Sequence, residues 1–329
     1  MWATFWQSMT EVTGARTRAA RVELALLRSR PPMEIRAELP IDLALTLGAL
    51  QRGSSDPTFA FHTSGVWLAM RTPQGPATMR LVTRGACIVA RAWGPGEPWA
   101  LASASDLVGA RDDVAGFEPV GVLRDLHRRF AGLRFPRTER VFDALMPTIL
   151  EQKVTTKEAH RSYASIVRRW GKPAPQPVGA PRLFVPPAPE VLAQVPYWQM
   201  HEMGVERRRA DTVRAAASRA RRVEEAARMN PTDARARLEA LPGVGPWTAA
   251  QVAMAALGDS DAVPLGDYHL PHVVAHVFTG RARGDEEQMM ALLAPYAGHR
   301  GRVVRLLLAS GAHAPRFGPR RPLRRVADL

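Results

Sequence analysis

Residues 239–268 read EALPGVGPWTAAQVAMAALGDSDAVPLGDY. Within them, Leu241-Pro242-Gly243-Val244-Gly245 is a turn that cannot continue a helix, and an apolar helical run follows at once. Gly243 and Gly245 are expected to supply backbone conformations that a side chain would forbid, and Pro242 presets the turn. A Gly-x-Gly turn feeding a helix leaves several amide N–H groups unpaired and pointing outward, which suits a phosphate. Twenty-two residues beyond Gly245 stands Asp267, just past Pro264-Leu265-Gly266 and at the start of another helical stretch. Asp is a favoured helix N-cap, and the positive end of the helix dipole favours an anion there.

The whole chain sets the context. It has 329 residues, enough for two domains and a substantial core. Its formal charge is +14, from 45 Lys plus Arg against 31 Asp plus Glu, and its pI is near 11.2. Such an excess favours a polyanionic partner, nucleic acid or an acidic membrane surface, although an Arg-rich proteome would give the same balance. Cys87 is the single cysteine, which excludes an internal disulfide, a multi-thiolate zinc site and a four-cysteine iron–sulfur cluster. The apolar stretches around 43–50 and 248–257 are too short to span a bilayer. No basic segment followed by an apolar core opens the chain, so no signal peptide is expected and the location expected is cytoplasmic.

Composition divides the chain into four. Residues 1–32 carry scattered Arg and end in Pro31-Pro32, a loosely ordered lead. Residues 33–115 form an α+β domain: Ile35, Ala37 and Leu39 alternate with polar residues, and Leu43–Leu50 is helical in composition. Strand-like runs then follow at Phe59–Phe61, Val66–Met70, Thr78–Thr83 and Cys87–Trp93, divided by turn residues. Residues 116–312 are helical, with patterns through Leu123, Leu126 and Phe130 and through Val141, Leu145 and Ile149. Residues 171–190 interrupt them with seven prolines, an extended and semi-rigid connector. Residues 313–329 are a basic tail.

A phosphate-gripping hairpin followed at this distance by one carboxylate resembles the helix-hairpin-helix superfamily of DNA glycosylases. The bacterial DNA-3-methyladenine glycosylase II branch is the nearest in pattern. The resemblance spans about 33–312 and is specific in 147–156 and 238–274. It implies a small antiparallel-sheet domain followed by an all-helical core. It also implies a monomer acting on double-stranded DNA, with no membrane association and no organic cofactor. A monovalent cation on the hairpin carbonyls is implied, and no other metal. By this likeness Asp267 is the catalytic acid, stabilising the charge that grows on deoxyribose as the base leaves and orienting the attacking water. Trp247 and Tyr268 match walls of the base pocket, where an electron-rich ring stacks on a cationic alkylated purine. Gly243, Gly245 and Thr248 belong to the DNA-binding hairpin. Gln152 and Lys153, in Leu150-Glu151-Gln152-Lys153-Val154-Thr155, match the loop that approaches the minor groove and fills the gap left by the flipped base.

Members that also cleave the backbone carry a lysine two places after the second hairpin glycine. Here that place holds Trp247, which cannot form a Schiff base, so a monofunctional enzyme without lyase activity is expected. Three departures bear on substrate. Lys153 stands where the branch has an apolar filler, Gln251 where an aromatic is common, and Leu306-Leu307-Leu308 where another aromatic lies in the last helix. The alternatives are a glycosylase for deaminated or mismatched bases, and a non-catalytic damage-binding module. His269, His272 and His276 share a helix face beside Asp267, but their spacing matches no recognised zinc motif.

Overall fold

The computed structural model describes residues 31–315. The expected lead over 1–32 and basic tail over 313–329 lie almost wholly outside the described residues.

The alternation and turn chemistry of residues 33–93 produce one antiparallel sheet. Its strands are β1 (Met33–Arg36), β2 (Phe59–His62), β3 (Gly65–Thr72), β4 (Gly75–Arg84) and β5 (Cys87–Trp93), in spatial order β1-β5-β4-β3-β2. The alternation at 35–39 predicted a longer first strand. Pairing stops at Arg36, opposite Cys87, the first residue of β5, so the rest of the pattern has no ladder to join. The helix expected over 43–50 is α1 (Leu43–Leu47), tightening to a 3-10 turn over Gly48–Leu50. Asp42 Oδ1 caps it, accepting the N–H groups of Ala44 and Leu45 at 2.8 and 3.0 Å. Leu43 and Leu47 pack with Leu68, Met70, Met79 and Leu81 on one sheet face, closed by short helices α2 (Glu97–Ala102) and α3 (Ala104–Leu107).

Val66 to Met70 are all buried, so β3 is covered on both sides. The second cover is the proline-rich connector. Lys172–Pro173 and Phe184–Val185 pair as β6 and β7, and Ala174, Leu183 and Val185 pack on Trp67, Ala69 and Trp93. Trp67 and Trp93 stack there, with centroids 5.3 Å apart and planes at 17°. Gly94, at φ +104, leaves room for Pro175, which a Cβ would strike. Residues 172–185, expected inside the helical domain, therefore pack with the sheet.

The helices are α4 (Val122–Arg129), α5 (Val141–Leu150), α6 (Thr156–Trp170), α7 (Pro189–Gln194), α8 (Tyr197–Glu202), α9 (Arg207–Ala217), α10 (Ala220–Glu224), α11 (Pro231–Glu239), α12 (Pro246–Val252), α13 (Leu270–Thr279), α14 (Glu286–Leu293) and α15 (Arg300–Ala309). Among the described residues, none is long and apolar enough to cross a membrane. Helix α5 runs through the middle: all of its residues except Asp143 are buried, and burying each large side chain contributes about 1.5–3 kcal/mol. Both of its ends are held from other helices. The Glu224 carboxylate on α10 accepts the N–H groups of Val141 and Phe142, each at 2.9 Å. At the other end the Arg209 guanidinium on α9 donates to the Leu150 carbonyl at 2.7 Å. An acid at the N-terminus and a cation at the C-terminus both complement the helix dipole.

Helix α15 ties the two parts of the chain. Arg305 donates to the carbonyls of Arg134, Leu45 and Thr46. Arg302 makes a two-pronged bond to Asp112, at 2.9 and 2.7 Å, with side chains only 1% and 3% exposed. Removing one member of such a pair strands a buried charge. Asp112→Ala should therefore lower the unfolding free energy by about 3–5 kcal/mol in urea titrations, and Asp112→Leu combined with Arg302→Met should recover most of the loss.

Candidate active site

Helix α11 ends at Glu239, the loop Leu241–Gly245 turns, and α12 begins at Pro246. Val244 N–H closes the turn on the Leu241 carbonyl at 3.0 Å. Gly243 sits at φ +82, and a Cβ there would collide with Thr212 Oγ1 on α9, so glycine is required twice over. Gly245 corrects the expectation from sequence. Its φ of −114° is extended backbone open to any residue, and a Cβ there would meet nothing within 4 Å. What its lack of a side chain provides is an unobstructed approach to the start of α12. In that first turn the amides of Trp247 and Thr248 have no carbonyl within the helix to accept them.

Thr248 is 2% exposed, and its Oγ1 accepts from Gln152, so its hydroxyl faces the interior rather than DNA. Gln152 is likewise turned inward. Its side-chain amide donates to the Gly243 carbonyl and to Thr248 Oγ1, both at 2.9 Å, and so locks the loop after α5 onto the hairpin. The next residue, Lys153, is exposed and held at φ +57, a left-handed conformation that costs a side-chain-bearing residue roughly 1 kcal/mol or more.

Asp267 is half-buried and occupies the turn before α13. Its Oδ1 accepts the N–H groups of His269 and Leu270 at 2.8 and 2.9 Å, although the N-cap residue of α13 is His269, two positions beyond the place expected from sequence. Its Oδ2 accepts the indole N–H of Trp247 at 2.9 Å. The second residue of α12 and the acid 20 positions later are thus directly bonded. All three donors are neutral, and among the described residues no Lys, Arg or His lies within ion-pair distance of this carboxylate. Tyr268 is 77% exposed beside it, edge-on to His269 with centroids 4.9 Å apart. His272 Nδ1 is engaged with the Gly284 backbone at 2.8 Å. Gln251 is half-buried, and of the leucines in α15 only Leu308 reaches solvent.

These positions can be set beside known proteins. Residues 146–297 match the HhH-GPD superfamily of base excision DNA repair proteins. A probable bifunctional transcriptional activator/DNA repair enzyme AlkA of Mycobacterium tuberculosis is 34% identical over 150 residues, 45% of this chain and 29% of that protein. A putative DNA-3-methyladenine glycosylase of Bacillus subtilis, YfjP, is 26% identical over 156 residues, 46% of this chain and 52% of that one. The chain thus spans about half, or less, of the length of these curated relatives. In three dimensions it shares the fold of a 3-methyladenine DNA-glycosylase from Archaeoglobus fulgidus, with a TM-score of 0.73 at 18% identity over 85% of this chain and 98% of that one.

Three supporting residues escaped sequence reasoning. Arg209 is 2% exposed; burial pushes its guanidinium pKa down, against the pull of Glu206. Glu151 is bound by Arg52 of the sheet domain at 2.9 Å and faces His160 at 3.5 Å. Burial pushes the Glu151 carboxyl up, but Arg52 and His160 together outweigh it and hold it below the usual glutamate value. Thr212 backs the hairpin. Charged residues on helices read as solvated in a sequence, and only the fold turns these inward.

Gly243→Ala should destabilise by about 1–3 kcal/mol through left-handed strain and the clash with Thr212, and Thr212→Ala in the same chain should restore part of it in urea titrations. Because the folded pKa of Glu151 is lowered, its stabilisation is complete above the ordinary value of 4.5 and lost as pH falls through the lowered one. Glu151→Gln should therefore flatten the acid limb of stability below the ordinary glutamate value of 4.5, read from urea titrations across pH.

Proposed function

We propose that this chain is a monofunctional DNA glycosylase that flips a damaged, alkylated purine out of duplex DNA and hydrolyses its N-glycosidic bond in base excision repair. The observation that carries this reading is the Asp267 carboxylate, held by three neutral N–H donors and bonded to the first turn of the hairpin helix. An anion fixed by neutral dipoles keeps its negative charge available to a neighbouring cation. As the glycosidic bond lengthens, its electrons leave with the base and positive charge grows on the deoxyribose, where Asp267 opposes it. Water then adds to C1′, and its proton passes to the carboxylate.

The remaining residues take supporting roles. The amides of Trp247 and Thr248, beside the open Gly245, receive a backbone phosphate at the positive end of α12. The Trp247 N–H is engaged by Asp267, so what Trp247 offers the base is its ring face. Tyr268 supplies a second ring, and Lys153 enters the gap that the base leaves, its stem filling space and its ammonium reaching phosphate. Extrusion costs a few kcal/mol, least for a damaged base, which contributes to selectivity. A monovalent cation on the hairpin would share the Leu241 and Gly243 carbonyls with Val244 and Gln152, since each oxygen has a second lone pair. It would neutralise phosphate charge, and no chemical step passes through it.

The names borne by the relatives support an alkylated substrate. The half-buried Gln251, at a place where an aromatic ring is common in the branch, favours deaminated or mismatched bases as the second reading. Measuring bases released from duplexes that carry a panel of alkylated, deaminated and mismatched lesions separates the two. With the preferred lesion, Asp267→Asn should cut release by about 10²–10³-fold while duplex affinity holds, because an Asn oxygen still accepts the N–H groups of His269 and Leu270. Trp247→Phe, which keeps a ring and deletes the N–H, should cost about 10- to 100-fold. Undiminished release by the Asn variant would end the mechanism, and no release from any lesion by the unmodified protein would leave a DNA-binding module.

A further inference from the structure

Helix α6 starts four residues after Gln152, and Gln152 is bonded to the hairpin, so the N-terminus of α6 is pinned beside the proposed phosphate cradle. The exposed residues of this 15-residue helix are Thr156, Lys157, Arg161, Arg168 and Arg169: four cations and no acid. The acid on the helix, Glu158, completes the capping box with Thr155. His160 turns to Glu151, and Ser162, Tyr163, Ile166 and Val167 are buried. At 100° per residue Lys157, Arg161 and Arg168 fall within a sector of about 40°, and at 1.5 Å per residue they span roughly 16 Å. That length covers about five base-pair steps of duplex.

Some exposed arginines on other helices are neutralised within their own surface. Arg207 and Arg214 on α9 pair with Asp211, Arg237 on α11 pairs with Glu225, and Arg128 on α4 pairs with Asp125. Among the described residues, no ion pair includes Lys157, Arg161 or Arg168. Like charges one turn apart weaken a helix, so this face retains an unfavourable arrangement that a polyanion would relieve. At the far end Arg168 donates to the Ser55 carbonyl at 3.0 Å. There it walls a groove of about 740 Å³ with the exposed Arg182 of the connector, which carries the positive surface onto the sheet domain.

We infer that the Lys157–Arg161–Arg168 face of α6 is a second contact for the duplex backbone, running from the Lys153 loop toward the sheet domain and away from the hairpin. The partner is double-stranded DNA outside the lesion, bound through phosphates without base readout. This surface rests on the reading of the chain as a DNA glycosylase for its biological use, though not for its test.

The test compares Lys157→Gln/Arg161→Gln/Arg168→Gln with a charge-matched control, Arg36→Gln/Arg84→Gln/Arg91→Gln, whose residues are exposed on the sheet. Affinity for an undamaged duplex of about 24 base pairs is measured by fluorescence anisotropy across a salt series. Each lost phosphate contact reduces the slope of log affinity against log salt by about 0.9, so the α6 variant should lose about 2–3 and the control less than 1. Single-turnover base release at saturating protein should be unchanged in both. A slope equal to that of the unmodified protein, or a loss matched by the control, would overturn the surface. If none of the proteins releases a base, the glycosylase reading fails, while the slopes still decide the surface.

Discussion

Helix α5 is buried nearly all round, and the rest of the site depends on that constraint. A helix so enclosed cannot leave its terminal N–H and C=O groups to water, so other helices must satisfy them. Glu224 does so at the start and Arg209 at the end. Charged side chains are costly to bury, and here the helix dipole offsets part of that cost. The consequence is positional: the chain leaves α5 at Leu150 in a direction set by Arg209. Glu151, Gln152 and Lys153 then emerge from a point that cannot drift relative to α9.

From that point four contacts converge. Arg52 and His160 hold Glu151, which ties the sheet domain to the loop, while Gln152 holds the hairpin. Lys153 is left as the exposed apex in a left-handed conformation. Because its neighbours are fixed on both sides, the strain has no easy route of release. The hairpin is fixed in turn by Thr212 behind Gly243, and the Trp247 indole carries its position forward to Asp267. A chain of contacts therefore runs from the buried helix to the carboxylate without crossing a flexible segment.

Much of the fold is legible in the residues themselves. The strands at 59–93 follow from alternation between Gly- and Pro-bearing turns. The start of α12 follows from Leu-Pro-Gly-Val-Gly. Local rules decide these features, because each depends on neighbours within a few positions. Where partners are distant, local pattern fails. The strand pattern at 37–39 is sound, yet Cys87 ends the ladder first. The proline-rich stretch at 173–187 reads as a connector, yet its Ala174, Leu183 and Val185 cover Trp67 and Trp93.

By itself the sequence determined the α+β layout, the turn at 241–245 and the acid 22 residues beyond it. Those are consequences of backbone propensity and short-range spacing. Only the tertiary structure decided that Trp247 and Asp267 are bonded, that Gln152 and Thr248 face inward rather than outward, and that Gly245 is open rather than strained. It also decided that Arg134, Arg209 and Arg302 are interior residues, while most of the other described arginines are exposed. A guanidinium can be solvated, paired or set against a carbonyl, and which of these holds depends on what the fold brings within 3 Å of it.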